Sequence, residues 1–150
     1  MKKLFLLRHA HSINSLPDFN RELSVVGIEK CKDISVILSS YADNINYILS
    51  SSSVRTSQTI EYSLPDKKVN YSDDCYNATA EELLLKLQEI SNKYDFILLV
   101  SHNPAISELV SILSGEALSF SPGSLALFDC DIEFWDELGF LNTKLIKFWQ

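Results

Sequence analysis

Arginine and histidine are the residues of this sequence whose types and positions point most directly to chemistry. The chain has three arginines and three histidines beside ten lysines. Arg8 and His9 end the first apolar run, Arg55 lies just after the second predicted strand, and His102 directly follows the most apolar run of the chain. A planar guanidinium donates paired hydrogen bonds to phosphoryl oxygens, and a neutral imidazole is a competent nucleophile. These residue types together indicate phosphoryl chemistry.

The hydrophobic pattern predicts the elements that must position these side chains. Strands are predicted at residues 3–8, 46–50, 67–71, 96–100, 124–130 and 143–149, and helices at 25–42, 54–64, 79–93 and 104–115. Helical spacing of apolar residues favours the first helix, with Ser24 as its N-cap. Thr79 with Glu82 three residues later fits a capping box. Pro104 is predicted at the first position of the last helix, with Asn103 as its cap.

Strands that alternate with helices predict the α/β class, here a three-layer α/β/α sandwich with a mostly parallel central sheet. We expect the last two strands to be antiparallel. Parallel strands end at one edge of the sheet, where such folds bind ligands. Arg8, His9, Arg55 and His102 should therefore meet at that edge. Helix N-termini near residues 51–53 and 103 would add backbone donors for an anion.

Composition narrows the class of protein further. A chain of 150 residues without repeats or a Pro/Gly-rich linker predicts one domain over 1–150. The net charge of −7 argues against a nucleic-acid partner. No apolar run approaches the roughly 18 residues of a membrane span, and the N-terminal run is shorter than the about 7–15 residues of a signal-peptide core. Three scattered cysteines predict reduced core thiols and a cytoplasmic protein.

Three segments resemble the motifs of the histidine phosphatase superfamily, which has the phosphoglycerate mutase-like fold. Residues 7–10 (LRHA) resemble its R-H-G/A signature, 51–59 (SSSVRTSQT) its S-x-x-x-R-x-x-Q-T motif, and 101–104 (SHNP) its S/G-H-x-P motif. Residues 18–27 resemble the D-x-x-R-x-L-x-x-x-G stretch of the short phosphohistidine phosphatase branch, although Glu22 stands where that branch usually has proline. The late glycine–serine strand of the branch resembles residues 121–129.

The resemblance implies roles for four residues. His9 would be the nucleophile that becomes a phosphohistidine, and water would then release phosphate. Arg8, Arg55 and His102 would hold the phosphoryl oxygens, and the arginines should favour the neutral form of the His9 ring. The implied function is a phosphatase, most readily a protein phosphohistidine phosphatase, that needs no metal and no cofactor.

Roles around this centre are less sharply defined by the sequence. Arg21 is expected either as an outer contributor to the anion site or as a salt-bridge partner of Asp18. Ser12 and Asn77 are predicted to bind substrate. His11 is expected on the surface or at the rim of the pocket.

The general acid is the main departure from the family pattern. Asn77 stands where the short branch often has glutamate, and an amide cannot protonate a leaving alkoxide. Asp18, Glu81 and Glu82 are alternative acids, although the two glutamates fit ordinary first-turn helix positions. Imidazole, with a pKa near 6.5, needs less help in leaving than an alcohol. The missing acid and the lack of room for a lid domain favour phosphoramidates, including phosphohistidine on a protein partner.

Three other functions remain open at this point. One is a phosphatase of the same superfamily that acts on small phosphomonoesters. Another is metal-assisted hydrolysis with His9, His11 and His102 as ligands, although no H-x-x-x-D pattern accompanies them. The third is a phosphate-binding module without turnover. The aromatic residues of the C-terminal part are expected in the core, with a partner-binding patch as the alternative.

Overall fold

A six-stranded sheet runs through the computed structural model, which describes residues 1–150. The strands are β1 (Lys2–Arg8), β2 (Tyr47–Ser51), β3 (Asn70–Ser72), β4 (Phe96–Ser101), β5 (Leu125–Cys130) and β6 (Thr143–Trp149). The helices are α1 (Val25–Ser39), α2 (Val54–Ser63), α3 (Ala80–Gln88) and α4 (Ala105–Ser114). None of these helices is long and apolar enough to cross a membrane.

The strand order is β3-β2-β4-β1-β5-β6. The first four strands in that order are parallel, whereas β5 pairs antiparallel with β1 and β6 pairs antiparallel with β5. The prediction of a mostly parallel sheet with antiparallel strands is therefore confirmed. β2, β4 and β1 all end at the same edge of the sheet, because they are parallel neighbours.

Helices cover both faces of the sheet, which gives the three predicted layers. Leu4 and Leu6 of β1 belong to one core with α3 and α4, and Phe5 and Leu7 belong to the other with α1 and α2. Successive side chains of a strand point to opposite faces, so a strand buried on both faces is apolar throughout. The short run before Arg8 is apolar because β1 is a central strand that is buried on both faces.

Several predicted boundaries were wrong by a few residues. The first helix ends at Ser39, because the chain turns where the amides of Asn44 and Ile45 donate to the Tyr41 carbonyl and Ile45 enters the core. The third helix ends at Gln88, and the third strand covers only Asn70–Ser72. In α4 the N-cap is Pro104, so the predicted cap, Asn103, lies one residue outside the helix.

The cysteines and most C-terminal aromatic residues pack inside the protein. All three cysteines are buried and unpaired, as expected: Cys31, Cys75 and Cys130. Phe120, Phe128 and Trp135 are buried in the core of the α3 and α4 face, whereas Phe134 and Phe140 are exposed. The core interpretation therefore holds for Phe120, Phe128 and Trp135, whereas Phe148 and Trp149 are half-buried against the two cores.

Candidate active site

A cleft of about 650 Å³ opens at the carboxyl ends of β1, β2 and β4. Its lining includes all the residues predicted to form the site: Arg8, His9, Ser12, Arg21, Arg55, Asn77 and His102. The other lining residues are His11, Asp18, Tyr76, Asn103 and Pro122. Segments from distant parts of the sequence thus meet at one edge of the sheet, which is the arrangement expected from the parallel strands.

The backbone around His9 is fixed from two sides. Its amide donates to the Ser101 carbonyl at 3.1 Å, at the end of β4. On the other side, the Gly123 amide donates to the carbonyls of Arg8 and His9 at 3.1 and 3.0 Å. Gly123 has a φ of +86°, and a Cβ there would lie 2.7 Å from the Lys30 side chain, so the tight turn requires glycine. The position of His9 is thus set by main-chain bonds before any ligand binds.

The His9 ring is held in one tautomer. Its Nδ1 lies 2.7 Å from the Ala10 carbonyl, which can only accept, so Nδ1 carries the proton. Nε2 then keeps its lone pair, and Arg55 Nε donates to it at 3.3 Å. Burial is the largest cause that lowers the pKa of His9 to about 3, with His102, Arg55 and Arg8 acting in the same direction and the Ala10 hydrogen bond opposing them. The arginines favour the neutral ring, as predicted, but burial is the larger cause.

Arg55 joins the two sides of the cleft. It lies in the first turn of α2 and is 6% exposed. Beyond its contact with His9, Nη1 donates to the Asp18 carbonyl at 2.8 Å and Nη2 to Asp18 Oδ2 at 3.1 Å. Thr59, one turn further along α2, donates to the Arg55 carbonyl and accepts from the Ala10 amide. The same helix turn therefore positions Arg55 and the residue after His9.

His102 directly follows β4, and its ring centroid lies 5.2 Å from that of His9. Its Nε2 is 2.8 Å from Ser51 Oγ at the end of β2. Burial lowers the pKa of His102 to about 4, with Arg55 and Arg8 acting in the same direction and Asp18 opposing them. The Nδ1 atom is buried and has no partner within the protein. Sequence reasoning missed the Ser51 contact, although Ser51 opens the second motif.

Arg8 is anchored by a main-chain carbonyl of the C-terminal part. Its Nη1 donates to the Phe120 carbonyl at 2.6 Å, and Asn103 Nδ2 donates to the same oxygen at 3.1 Å. Burial lowers the pKa of Arg8. The buried Nε has no partner within the protein, so Arg8 keeps a hydrogen-bond donor that no other residue satisfies.

Asp18 is the one carboxylate that lines the cleft. Its Oδ2 accepts from Tyr76 Oη at 2.5 Å and from Arg55, and its Oδ1 accepts from Arg21 Nη1 at 3.2 Å. The Tyr76 hydroxyl is the largest cause that lowers the pKa of Asp18 to about 2, and the two arginines add to it. Arg21 therefore makes the predicted salt bridge while it also lines the cleft. No signal in the sequence distinguished Tyr76 from a core tyrosine.

The remaining acids and histidines have local roles. Glu82 forms the predicted capping box with Thr79, and neither Glu81 nor Glu82 lines the cleft. His11 Nδ1 lies 2.7 Å from Ser24 Oγ, at the exposed rim. No group of three or more His, Cys, Asp or Glu side chains is arranged to hold a metal ion, so the three histidines do not form the ligand set of the metal hypothesis.

Asn77 lies at the cleft with a φ of +58°. Residues other than glycine rarely adopt this left-handed conformation, and asparagine is among those that tolerate it best. The predicted substrate-binding residue Asn77 thus also has to tolerate a left-handed backbone. A substitution that tests its side chain therefore needs a control substitution that strains the backbone equally.

An α/β/α sandwich with arginines and neutral histidines at its strand ends has the architecture of a phosphoryl-handling enzyme. No protein-family model matches the chain. An uncharacterized chloroplastic protein of Arabidopsis thaliana is 30% identical over 91% of this chain and 70% of its own length. A structure from Agrobacterium tumefaciens described as a candidate phosphohistidine phosphatase SixA is 25% identical, with a TM-score of 0.81 over 99% of this chain and 97% of that one.

A second structure with this description, from Nakamurella multipartitia, has a TM-score of 0.91 over 99% of this chain and 95% of its own, at 21% identity. The chain belongs to the histidine phosphatase superfamily, in its short SixA-like branch. Its fold is accordingly the phosphoglycerate mutase-like fold.

Proposed function

We propose that this protein is a phosphatase that removes phosphoryl groups from phosphohistidine on proteins, through a phosphohistidine intermediate on His9. The observation that carries the proposal is the buried, neutral His9 ring, with its Nε2 lone pair facing Arg55 and its Nδ1 proton held by Ala10. The description of two structural relatives as candidate phosphohistidine phosphatases supports the same reaction class.

The first chemical step is attack of His9 Nε2 on phosphorus. The new N–P bond forms as the electron pair of the bond to the leaving group departs with that group. Arg55 Nε, which donates to Nε2 in the free enzyme, turns to a phosphoryl oxygen as substrate binds. Arg8 and His102 supply further donors, so the charge on the equatorial oxygens is stabilised by groups already in place.

The second step is hydrolysis of the intermediate. Phosphorylated His9 is a cation, because Nδ1 keeps its proton, and the Ala10 carbonyl stabilises that proton. Water attacks phosphorus, the N–P electron pair returns to Nε2, and inorganic phosphate leaves. The ring is then neutral again, ready for another turnover.

The proposed partner is a phosphorylated protein, because the cleft is open to solvent and contains no enclosing lid domain. Phosphoramidates suit a site where Asn77 replaces the usual acid and Asp18 is ionised. Ser12 and Arg21 line the same cleft and are proposed to contact substrate. A cytoplasmic location is part of the proposal and fits three buried, unpaired cysteines.

The decisive experiment traps the intermediate. Wild-type protein is mixed with a ³²P-labelled phosphohistidine protein and quenched in base, because phosphohistidine is acid-labile. Label is expected on His9 in the wild type and is expected to be absent from His9→Ala, which should keep its fold by circular dichroism. His11→Gln is the matched control at the rim, and it should still carry label on His9.

Two results would contradict the proposal. Label on His102, or turnover by His9→Ala, would move the nucleophile elsewhere. Tungstate binding at Arg8 and Arg55 without any turnover would instead favour the binding module. A chelator should not affect the rate, since the proposed chemistry uses only side chains of this chain.

A further inference from the structure

Asp18 lies at the mouth of the cleft, and His9 lies at its base. The Asp18 side chain is 45% exposed, whereas His9 is 8% exposed. A phosphoryl group on His9 Nε2 must therefore have its leaving group directed outward, toward solvent and the protein that carries it. Asp18 is the one carboxylate on that path.

The Arg55 guanidinium links the two groups. Its Nε is 3.3 Å from His9 Nε2, and its Nη2 is 3.1 Å from Asp18 Oδ2. The carboxylate is thus one guanidinium away from the attacking nitrogen. Asp18 Oδ1, with Arg21 as its one side-chain partner, still has lone pairs for a donor.

Asp18 is unsuited to donate a proton in this arrangement. Its three hydrogen-bond donors, Tyr76, Arg21 and Arg55, all stabilise the ionised form, and its pKa falls to about 2. The Tyr76 hydroxyl is already directed at the carboxylate, which raises the pKa of Tyr76. Near neutral pH Asp18 is therefore ionised and ion-paired with Arg21 and Arg55, and the mouth of the cleft presents a carboxylate acceptor and no carboxylic acid.

A carboxylate acceptor distinguishes a leaving group that carries an N–H from one that develops negative charge. In phosphohistidine whose second ring nitrogen is protonated, the P–N electron pair moves onto the departing nitrogen and a neutral imidazole leaves with its N–H intact. A phosphate ester instead develops negative charge on its leaving oxygen, which a nearby carboxylate disfavours. The same side chain thus helps one class of substrate and opposes the other.

We propose that Asp18 accepts the N–H of the protonated imidazole in the substrate and makes the cleft selective for phosphoramidates whose protonated ring leaves as neutral imidazole. This inference rests on the proposed function and names the residue that selects its substrate class. Asp18 acts on the leaving group, and the arginines act on the phosphoryl group.

The test compares two substrates that carry the same phosphoryl group. A 3-phosphohistidine peptide with a protonated ring releases neutral imidazole, and p-nitrophenyl phosphate releases an anionic phenolate. Asp18→Asn keeps the size and one oxygen acceptor but removes the charge. The ratio of kcat/KM for the peptide to kcat/KM for the aryl ester should fall about 10-fold, the effect of roughly 1.4 kcal/mol in one interaction.

The ratio removes the main ambiguity, since any displacement of Arg55 affects both substrates alike. Asp18→Glu keeps the charge and should retain more of the ratio than Asp18→Asn. Glu81→Gln removes one negative charge outside the cleft and should leave the ratio unchanged. For the wild type, the ratio should fall as pH rises and the substrate ring loses its proton.

The outcomes separate this inference from the function. An equal loss on both substrates in Asp18→Asn overturns the inference, because Asp18 would then only position Arg55. Turnover of both substrates that stays the same, or that rises equally, overturns it as well. In each of these cases, wild-type turnover with label on His9 leaves the proposed function standing, whereas a wild type inactive on the peptide overturns both.

Discussion

Two parts of the sheet contribute to the cleft in different ways: the parallel half, β1 to β4, and the antiparallel half, β5 and β6 with the loop before β5. The side chains proposed for chemistry lie at or just beyond the ends of the parallel strands β1, β2 and β4: Arg8, His9, Arg55 and His102. The antiparallel half contributes main-chain atoms instead. The Phe120 carbonyl holds Arg8 and Asn103, and the Gly123 amide holds the backbone at His9. Reactive groups and their supports thus come from different parts of the chain.

The difference extends to what each half buries. Around the ends of the parallel strands, polar side chains are buried and bonded to backbone, as where Thr56 Oγ1 donates to the Ser51 carbonyl at 2.7 Å. The antiparallel half buries large aromatic side chains, among them Phe120 and Phe128. Hydrogen bonds to buried polar side chains offset the cost of burying them and hold them in place, so the first region fixes geometry, and the second supplies packing energy. Substitutions should therefore separate activity from stability.

The largest expected effect is on stability, in the antiparallel half. Phe128 is fully buried in the core of the α3 and α4 face. Phe128→Ala should lower the free energy of unfolding by about 3–5 kcal/mol, the usual range for a buried phenylalanine. Urea denaturation measures this loss, and kcat of the folded fraction should stay within about twofold. A large loss of kcat without a loss of stability would contradict the division between the halves.

A substitution of Arg55 tests the role of the parallel half in activity. Arg55→Ala should lower kcat about 10²–10³-fold, the scale of one lost donor to the transition state. Steady-state kinetics with a phosphohistidine peptide measures it, and near-UV circular dichroism checks the fold. Lys32→Ala is the control, since Lys32 is exposed on α1 and pairs with Glu29 outside the cleft. Equal kcat in Arg55→Ala and Lys32→Ala would show that Arg55 gives no donor to the transition state.

The sequence could predict the strand ends because the central strands are buried on both faces and therefore read as unbroken apolar runs. Helix ends were harder, since the end of α1 depends on Ile45 packing in the core and on the turn at Tyr41. No local pattern carries that information. The site residues came from motifs, and their convergence followed from parallel strands that share one edge.

Contacts between distant segments could not be predicted. Tyr76 bonds Asp18 across 58 residues, and His102 bonds Ser51 across 51 residues. The sequence also left Asp18 open as an acid or as a salt-bridge partner. Only the arrangement of Tyr76, Arg21 and Arg55 around it shows that the ionised form is favoured.

A smaller effect is expected from substitution of Asn77 by an acid, which should reduce substrate selectivity. Asn77→Glu should raise kcat/KM on alkyl phosphates by up to about 10²-fold, because a carboxylic acid could protonate the leaving alkoxide. Phosphoramidate turnover should change little. Asn77→Gln is the matched control, because it carries the same left-handed strain without an acid. A slowing of every substrate by both variants would indicate that Asn77 is needed for its backbone conformation.

The smallest expected effect concerns pH and the buried histidines at the ends of β1 and β4. The pKa values of His9 and His102 are lowered from 6.5 to about 3 and about 4, chiefly by burial. Their ring ¹⁵N shifts should therefore not change between pH 7.5 and 5.5.

Unfolding frees both rings, so the unfolded chain takes up protons first as pH falls below 6.5, and the free energy of unfolding falls with it. At pH 5.5 the loss should be about 1 kcal/mol per histidine, measured by urea denaturation. His9→Asn should remove about half of the combined loss that the two histidines cause, whereas Phe128→Ala should leave that pH-dependent loss unchanged. A titration midpoint near 6.5 for either ring in the folded protein would mean that the site is not held neutral, and the proposed nucleophile would then be protonated over part of the physiological range.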